Sequence, residues 1–268
     1  TPQKAASVNI KAKIRNIVLL GHGRAGKTSL TEALLFAAGA SDRLGNIASG
    51  NTVSDYDPEE IKRQLSIQTS LAPVEWKDTK LNMIDTPGYF DFVGEVEEAL
   101  EAADAAVIVV FGKSGVEVGT MKAWEACEKR KFPRMFFVTD MDDDNASFRK
   151  VVEDLTELYG KKIAPFHSPI RENEKFVGFV NVIKMAGRRF TKLSDYVEGE
   201  IPEYCMEYVN TYREALLDAV AETSEELMEK YFEGEEFTLQ EISTALRSSV
   251  SNCARQPETV QQRVRFGR

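Results

Sequence analysis

The segment at residues 21–28 constrains the fold of this chain more than any other stretch. Its sequence, GHGRAGKT, matches the pattern GxxxxGK[ST], and it stands between an apolar run at 14–20 and a helical pattern at 27–38. In this strand–loop–helix setting the glycines let backbone N–H groups surround a phosphate, and the helix start adds its positive dipole end. An ordinary glycine turn is the alternative, but chance rarely supplies both flanks. The sequence therefore predicts a phosphate-binding loop, or P-loop.

The first half of the chain alternates strand and helix patterns. Strands are predicted at 14–20, 67–76, 81–84, 105–111 and 135–138, and helices at 27–38, 116–131 and 145–158. The runs at 105–111 and 135–138 are unbroken, as expected for strands covered on both faces. A long polar stretch at 41–66 is predicted to be a loop, and a loop of that length in a compact domain is usually functional or mobile. The alternation predicts an α/β fold with a doubly wound, mostly parallel sheet.

The pattern changes near residue 159. Residues 176–185 favour a strand or hairpin, and helical patterns follow at 202–221, 223–232 and 237–250. We therefore expect an inserted α/β subdomain. The predicted organisation is a flexible arm at 1–13, a core at 14–160, the inserted subdomain at 161–236, a helix returning to the core at 237–252, and a linker or truncation tail at 253–268.

Composition and charge exclude several classes of protein. The 34 Lys and Arg residues against 43 Asp and Glu residues give a net charge of −9, which argues against sequence-specific or charge-driven nucleic-acid binding. The longest apolar run, 105–111, is far shorter than the ~20 residues of a membrane helix, so no membrane partner is expected. Three widely spaced cysteines with no CxxC pair indicate neither a disulfide framework nor a zinc site, and reduced thiols are typical of a cytoplasmic protein.

A second motif, Asp85-Thr86-Pro87-Gly88, follows the strand predicted at 81–84. A carboxylate there can hold Mg²⁺, and the Gly88 N–H can bond a γ-phosphate. In isolation such a segment is equally an ordinary turn. Beside a P-loop it predicts the second half of a nucleoside triphosphate site, in which Lys27 reaches the β- and γ-phosphates and the Thr28 hydroxyl is a Mg²⁺ ligand.

Several motifs now combine in a recognisable order and spacing. They are Gly21-His22, Ala25-Gly26-Lys27-Thr28, Ser54-Asp55-Tyr56, the segment DTPGYFDF at 85–92, the segment GVEV at 115–118, and Met141-Asp142. Together they resemble the GTPase domain of elongation factor G and its tetracycline-resistance ribosomal-protection relatives. The similarity runs from about residue 14 to about residue 246 and includes the insert of that domain, through Pro169-Ile170, the segment FVG at 176–178 and the segment KYFEG at 230–234.

The resemblance implies a P-loop GTPase that binds GTP and GDP with Mg²⁺ in the cytoplasm. It also implies the ribosome as a partner, through a longer parent protein of which this chain is a fragment. The residues it implies for nucleotide binding are His22, Gly23, Arg24, Ala25, Gly26, Lys27, Thr28, Ser29, Asp85, Gly88, Thr139, Asp140 and Asp142. The implied Mg²⁺ ligands are Thr28, Ser66 and Asp85, and the implied catalytic residues are Lys27, Gly88 and Tyr89.

Three departures from the family pattern concern the phosphate side. Arg24 stands where the family has Asp, and this cation either meets phosphate or points to solvent. Ser66 replaces the Thr that closes on Mg²⁺, and its hydroxyl either coordinates or merely opens a strand. Tyr89 replaces the hydrolytic histidine, and either orients a water or packs as an aromatic side chain. A phenol with a pKa near ~10 does not supply the role of an imidazole, so we expect slow hydrolysis.

Further departures concern the base. The guanine motif Asn-Lys-x-Asp appears as Thr139-Asp140-Met141-Asp142, and only Asp142 remains to accept from guanine N1 and N2. No Ser-Ala loop completes the pocket. Losing one hydrogen bond and one stacked cation is expected to cost about 2–3 kcal/mol, or about two orders of magnitude in affinity. The alternative is a degenerate nucleotide sensor, or an inert ribosome-binding module, with little or no GTPase activity.

Overall fold

The computed structural model describes residues 14–192, 195–252 and 264–266. These residues divide into two compact units. The first unit takes residues 14–20 and 27–105, and the second takes residues 21–26 and everything described from residue 106 onward. The arm predicted at 1–13 lies outside the described residues.

The first unit contains three strands and three helices. In chain order they are β1 (Ile14–Gly21), α1 (Lys27–Ala37), α2 (Pro58–Arg63), β2 (Ser70–Trp76), β3 (Thr79–Asp85) and α3 (Val93–Ala102). Strand β1 runs parallel to β3, with Val18 opposite Ile84, and β2 forms an antiparallel hairpin with β3. The apolar residues Val18, Leu19 and Leu20 are at most 2% exposed and form the centre of this unit, as their unbroken run predicts.

The second unit begins with parallel strands of its own. Its elements are β4 (Ala105–Phe111), α4 (Val118–Lys129), β5 (Arg134–Thr139) and α5 (Phe148–Tyr159), and residues 264–266 form β10. Both β4 and β10 run parallel to β5. Residues 264–266 belong to the stretch predicted to be a linker, and the rest of that stretch lies outside the described residues.

The second unit also contains a separate antiparallel sheet with three helices. The strands are β6 (His167–Glu172), β7 (Lys175–Asn181), β8 (Ala186–Phe190) and β9 (Tyr196–Gly199), and the helices are α6 (Glu203–Ala221), α7 (Glu225–Phe232) and α8 (Leu239–Asn252). Ile170 and Val180 of the sheet pack against Cys205 and Val209 of α6, and all four are fully buried. Strand and helix material was predicted here, although the sheet has more strands than the single hairpin expected.

A stacked aromatic group lies against the parallel strands of the second unit. The Trp124 ring on α4 stacks on Tyr159 with centroids 3.8 Å apart and lies 5.7 Å from Phe136 of β5. The Arg134 guanidinium lies 4.1 Å from the Trp124 ring centroid. This stack closes one side of the core, and Trp124 is only 7% exposed.

The polar stretch at 41–66 contains a helix that was not predicted. Asp57 is the N-cap of α2, Pro58 takes its first position, and the Glu60 side chain returns to the Asp57 N–H, which completes a capping box. Strand β2 begins at Ser70 and not at residue 67, because the N–H groups of Ile67 and Gln68 donate to Glu60 instead of to a neighbouring strand. No helix within the described residues is long and apolar enough to cross a membrane.

Candidate functional site

The first part of the P-loop, residues 21–26, has a backbone that requires glycine at two positions. Gly21 has φ +143°, and a Cβ there would lie 2.4 Å from the carbonyl oxygen of Val109. Gly26 has φ +89°, and a Cβ there would lie 3.2 Å from the Thr139 side chain. Arg24 also has a positive φ, +66°, and its side chain is exposed. The loop therefore keeps its backbone, and not side chains, against the end of the sheet.

Two side chains, one outside the loop and one within it, connect the loop to the rest of the second unit. The Thr139 hydroxyl donates to the Ala25 carbonyl at 2.8 Å and lies 3.3 Å from the Val110 carbonyl. His22 Nδ1 accepts from the Gly119 N–H at 3.3 Å, at the start of α4. Thr139, predicted from the family pattern to stand near the base, thus bonds to the P-loop itself. His22, which the family resemblance implies for nucleotide binding, bonds the backbone at the start of α4 through its ring.

The P-loop lysine begins α1 and is deeply buried. Lys27 is 6% exposed, and burial lowers its pKa to about 8, although the carboxylates of Asp85 and Asp55 act in the opposite direction. The negative charges of these two carboxylates favour the protonated amine and so offset part of the effect of burial. The side chain therefore supplies a cation in a site with little water. Ser29, two residues on, is exposed.

Thr28, Ser66 and Asp85 come together in the first unit. The Thr28 hydroxyl donates to Asp85 Oδ2 at 2.8 Å and lies 3.1 Å from the Ser66 Oγ. Thr28 and Asp85 are 5% and 2% exposed. Ser66 and Asp85 are 38 and 57 positions from Thr28 in the sequence, and the fold brings both of them into contact with it. All three are predicted Mg²⁺ ligands.

The chemistry of this trio fits a divalent cation. Burial raises the pKa of Asp85 to about 6, while the Thr28 hydrogen bond and Lys27 lower it. Asp85 Oδ1 is buried and receives no hydrogen bond of normal geometry within the described part of the chain, and the same holds for the Ser54 hydroxyl. Two hydroxyls and a carboxylate are the oxygen ligands that Mg²⁺ prefers. Among the described residues no group of three or more His, Cys, Asp or Glu side chains could hold a metal ion.

Two buried carboxylates, one of them unremarked in the sequence and the other part of the Ser54-Asp55-Tyr56 motif, hold the stretch at 41–66. Glu32 of α1 is 1% exposed and accepts from the Val53 N–H at 2.6 Å. A Cβ at Gly45 would overlap the Glu32 carboxylate, so a larger residue there would have to displace that side chain. Burial raises the pKa of Asp55, and a hydrogen bond with Ser66 acts against that rise. Polar contacts therefore attach the stretch to α1 at Val53 and join Asp55 to Ser66 within the stretch.

A hydrogen bond to β1 fixes the start of the segment that follows Asp85. The Thr86 hydroxyl donates to the Leu19 carbonyl at 2.6 Å, which joins the ends of β3 and β1. Gly88 and Tyr89 are half-buried, and a short 3₁₀ turn at Phe90–Phe92 follows. Beyond it the Glu95 carboxylate of α3 accepts from the Thr69 N–H at 2.7 Å. The Gly88 amide, predicted to meet a γ-phosphate, lies four residues downstream of the buried Ile84.

The predicted base-recognition segment belongs to the second unit. Asp142 is exposed, while Asp140 is half-buried with φ +52°, and burial raises the pKa of Asp140. Arg171 of β6 holds this segment, because its guanidinium donates to the carbonyls of Met141, Asp143 and Ala146 at 3.1–3.2 Å. Arg171 was not predicted. An exposed Asp142 on a clamped backbone is available to a ligand.

The comparisons with known proteins agree with this geometry. The family model described as elongation factor Tu GTP binding domain matches residues 12–256. Elongation factor G of Thermotoga petrophila is 38% identical over 239 residues, which are 88% of this chain and 34% of that protein. A crystal structure of a protein from Thermus thermophilus matches with a TM-score of 0.86 and 38% identity, over 96% of this chain and 37% of that one.

These matches confirm the predicted fold class, a P-loop GTPase fold with a mostly parallel sheet and an insert, and the predicted resemblance to elongation factor G. The chain spans about a third of the length of the curated relative it matches. By its sequence and its fold, the chain belongs to the elongation factor Tu GTP-binding domain family.

Proposed function

We propose that this chain binds GTP and GDP with Mg²⁺ and hydrolyses GTP, as the GTPase domain of an elongation factor G-like protein that acts on the ribosome. The observation that carries the proposal is the buried contact of Thr28 with Asp85 and Ser66, next to the buried cation Lys27. In a family defined by a GTP-binding domain, this arrangement supports the proposal, because a magnesium nucleotide needs oxygen ligands and a positive charge close together.

Each residue would act by position and charge. The backbone N–H groups of residues 23–28 would surround the β-phosphate, and Lys27 would neutralise charge on the β- and γ-phosphates. Thr28 and Ser66 would hold Mg²⁺ directly and Asp85 through water, and the bound ion would neutralise charge that develops on the phosphate oxygens. The Gly88 N–H would bond the γ-phosphate, and Tyr89 would orient the attacking water.

Slow hydrolysis and weak base recognition are part of the proposal. Tyr89 offers a phenol in place of the family's histidine, so it positions water without serving as an imidazole acid or base. The exposed Asp142 would accept from guanine N1 and N2, while the Thr139 hydroxyl already donates to the Ala25 carbonyl. Guanine selectivity would then depend on a single carboxylate.

The family supports a proposal for the partner and the location. We infer that the parent protein works on cytoplasmic ribosomes, with nucleotide state setting ribosome affinity, and that its role is in elongation or in tetracycline-type ribosome protection. The 38% identity to an elongation factor G supports this proposal, and the buried thiols Cys127 and Cys205 are compatible with a reducing compartment.

Titration with fluorescent GDP and GTP tests the binding. We expect wild type to bind in a Mg²⁺-dependent manner and Lys27→Ala to lose most of the affinity. Lys80→Ala removes an exposed lysine of the same unit and is the matched control. Equal binding by wild type and Lys27→Ala would contradict the phosphate-site assignment. Phosphate release over many turnovers, with and without ribosomes, then measures the hydrolysis.

A further inference from the structure

The Glu60 side chain is an acidic group buried in a mostly exposed part of the molecule. It is 1% exposed, yet its neighbours on α2, Glu59, Ile61 and Lys62, are all exposed. A six-residue helix with so little apolar burial is held in place chiefly by polar contacts. The contacts of Glu60 therefore decide where this part of the chain lies.

Those contacts converge on the residues around Ser66. Glu60 Oε1 accepts from the N–H groups of Ile67 at 2.8 Å and Gln68 at 3.0 Å. The carbonyl oxygen of Glu60 accepts from the Leu65 N–H at 3.2 Å. One residue thus binds the backbone on both sides of Ser66, whose Oγ lies 3.1 Å from the Thr28 hydroxyl.

The two oxygens of the carboxylate have separate tasks. Oε2 accepts from the Asp57 N–H at 3.3 Å and completes the cap of α2, which is a local helix function. Oε1 bonds residues that follow the helix and takes no part in the cap. Backbone N–H groups stabilise a buried carboxylate well, because hydrogen bonds to a charged acceptor are stronger than neutral ones. Capping alone does not account for the bonds of Oε1.

We propose that Glu60 is a positioning residue for magnesium binding: its Oε1 fixes the backbone of residues 66–68 and thereby holds the Ser66 hydroxyl beside Thr28. This inference rests on the proposed function, since it assigns Glu60 a role through Ser66 in the same magnesium nucleotide site. Without the anchor, residues 64–69 have fewer bonds to the unit, and Ser66 spends less time in the position that coordinates.

The test measures the Mg²⁺ concentration at which half of a bound fluorescent GTP is retained. We expect Glu60→Ala to raise that concentration about tenfold or more, as expected for losing two charge-assisted hydrogen bonds. Glu60→Gln keeps a carbonyl acceptor and should recover most of the loss. Glu59→Ala removes the same charge one residue earlier, from an exposed side chain whose ion pairs within the described residues are with Lys62 and Arg63 of its own helix, and should resemble wild type.

Two further measurements separate positioning from general stability. Amide hydrogen exchange in the nucleotide-free protein should be at least tenfold faster at Ile67 and Gln68 in Glu60→Ala, and unchanged in β3. The double variant Glu60→Ala with Ser66→Ala should need no more Mg²⁺ than Ser66→Ala alone, because both changes remove the same contribution of the Ser66 hydroxyl to Mg²⁺ binding.

Additive effects of Glu60→Ala and Ser66→Ala, or a wild-type Mg²⁺ requirement in Glu60→Ala, would overturn the inference while leaving the proposed function intact. A wild type that retains GTP without Mg²⁺, or as weakly as Lys27→Ala, would overturn the proposed function and this inference with it. If Glu60→Ala loses its circular dichroism spectrum, Glu60→Gln takes its place. Exchange at Ile67 and Gln68 that becomes faster together with a small rise in the Mg²⁺ requirement supports the inference, and faster exchange with a wild-type Mg²⁺ requirement overturns it.

Discussion

Replacing Thr139 by valine should weaken the P-loop without changing base preference. The hydroxyl donates to the Ala25 carbonyl at 2.8 Å, and both residues are buried, at 7% and 1% exposure. Valine has nearly the same shape and keeps a methyl group at this position, so the substitution removes the hydroxyl, with its bond to Ala25 and its longer one to the Val110 carbonyl, and little else. The Ala25 carbonyl is then left in a buried place without this donor.

The size of the effect follows from that geometry. Losing a buried hydrogen bond and leaving one partner unsatisfied costs about 1–3 kcal/mol. If nucleotide binds only to the P-loop conformation that has this hydrogen bond, the same free energy sets the largest loss of affinity, roughly 5- to 150-fold. The loss should be equal for guanine and adenine nucleotides, because the Thr139 hydroxyl bonds the loop and not the base.

Urea unfolding and titration with fluorescent GDP and ADP measure the two quantities. Thr139→Ser keeps the hydroxyl and loses the methyl group, so it is the matched control and should retain affinity. A valine variant with wild-type stability and affinity would refute the reasoning. So would a variant that loses guanine nucleotides and keeps adenine nucleotides, since Thr139 would then act at the base, as the family pattern suggests.

Three shorter predictions concern the nucleotide site. Tyr89→His should raise the rate of ribosome-stimulated GTP hydrolysis in the parent protein about tenfold or more, since a positioned acid–base group supplies ~10²–10⁴. An unchanged or lower rate would show that Tyr89 is adequate for hydrolysis or has a structural role. Asp142→Asn should shift preference from GTP toward xanthosine triphosphate in paired titrations under saturating Mg²⁺, by roughly 1–3 kcal/mol, whereas an unchanged preference would mean that Asp142 does not face the base. Burial raises the pKa of Asp85 to about 6, so protonation competes with Mg²⁺ as pH falls. Nucleotide retention should therefore need about tenfold more Mg²⁺ for each pH unit below 6, and a flat profile from pH 7 to pH 5 would contradict this.

The parts of the fold that sequence predicts well are those with a strong local signal. The run at 105–111 became β4 with the same bounds, because an unbroken apolar stretch of that length has few alternatives to a central strand. The P-loop was predictable for a similar reason, since Gly21 and Gly26 take backbone angles that L side chains rarely adopt. Helix α2 was missed although Asp57 and Glu60 form a capping box and Pro58 takes the first helical position, so the signal was available in the sequence itself.

The parts that sequence does not predict depend on contacts with backbone groups far along the chain. Thr139 bonds a carbonyl 114 residues away, and any residue at position 25 would offer the same carbonyl. Arg171 donates to the carbonyls of Met141, Asp143 and Ala146, none of which is marked by residue type. A backbone acceptor leaves no trace in the sequence, so only the folded chain shows which side chain reaches it.

The stacked aromatic group around Trp124 makes the two compact units distinguishable by fluorescence. Of the two tryptophans in the chain, Trp76 lies in the first unit, 51% exposed at the end of the β2–β3 hairpin, and Trp124 lies in the second unit between Tyr159 and the Arg134 guanidinium. Trp76 should emit at long wavelength and be quenched by iodide, while Trp124 should emit at shorter wavelength and resist the quencher. A Trp76→Phe variant therefore reports on the second unit alone, and comparing its denaturation curve with that of wild type shows whether the two units unfold together or one after the other.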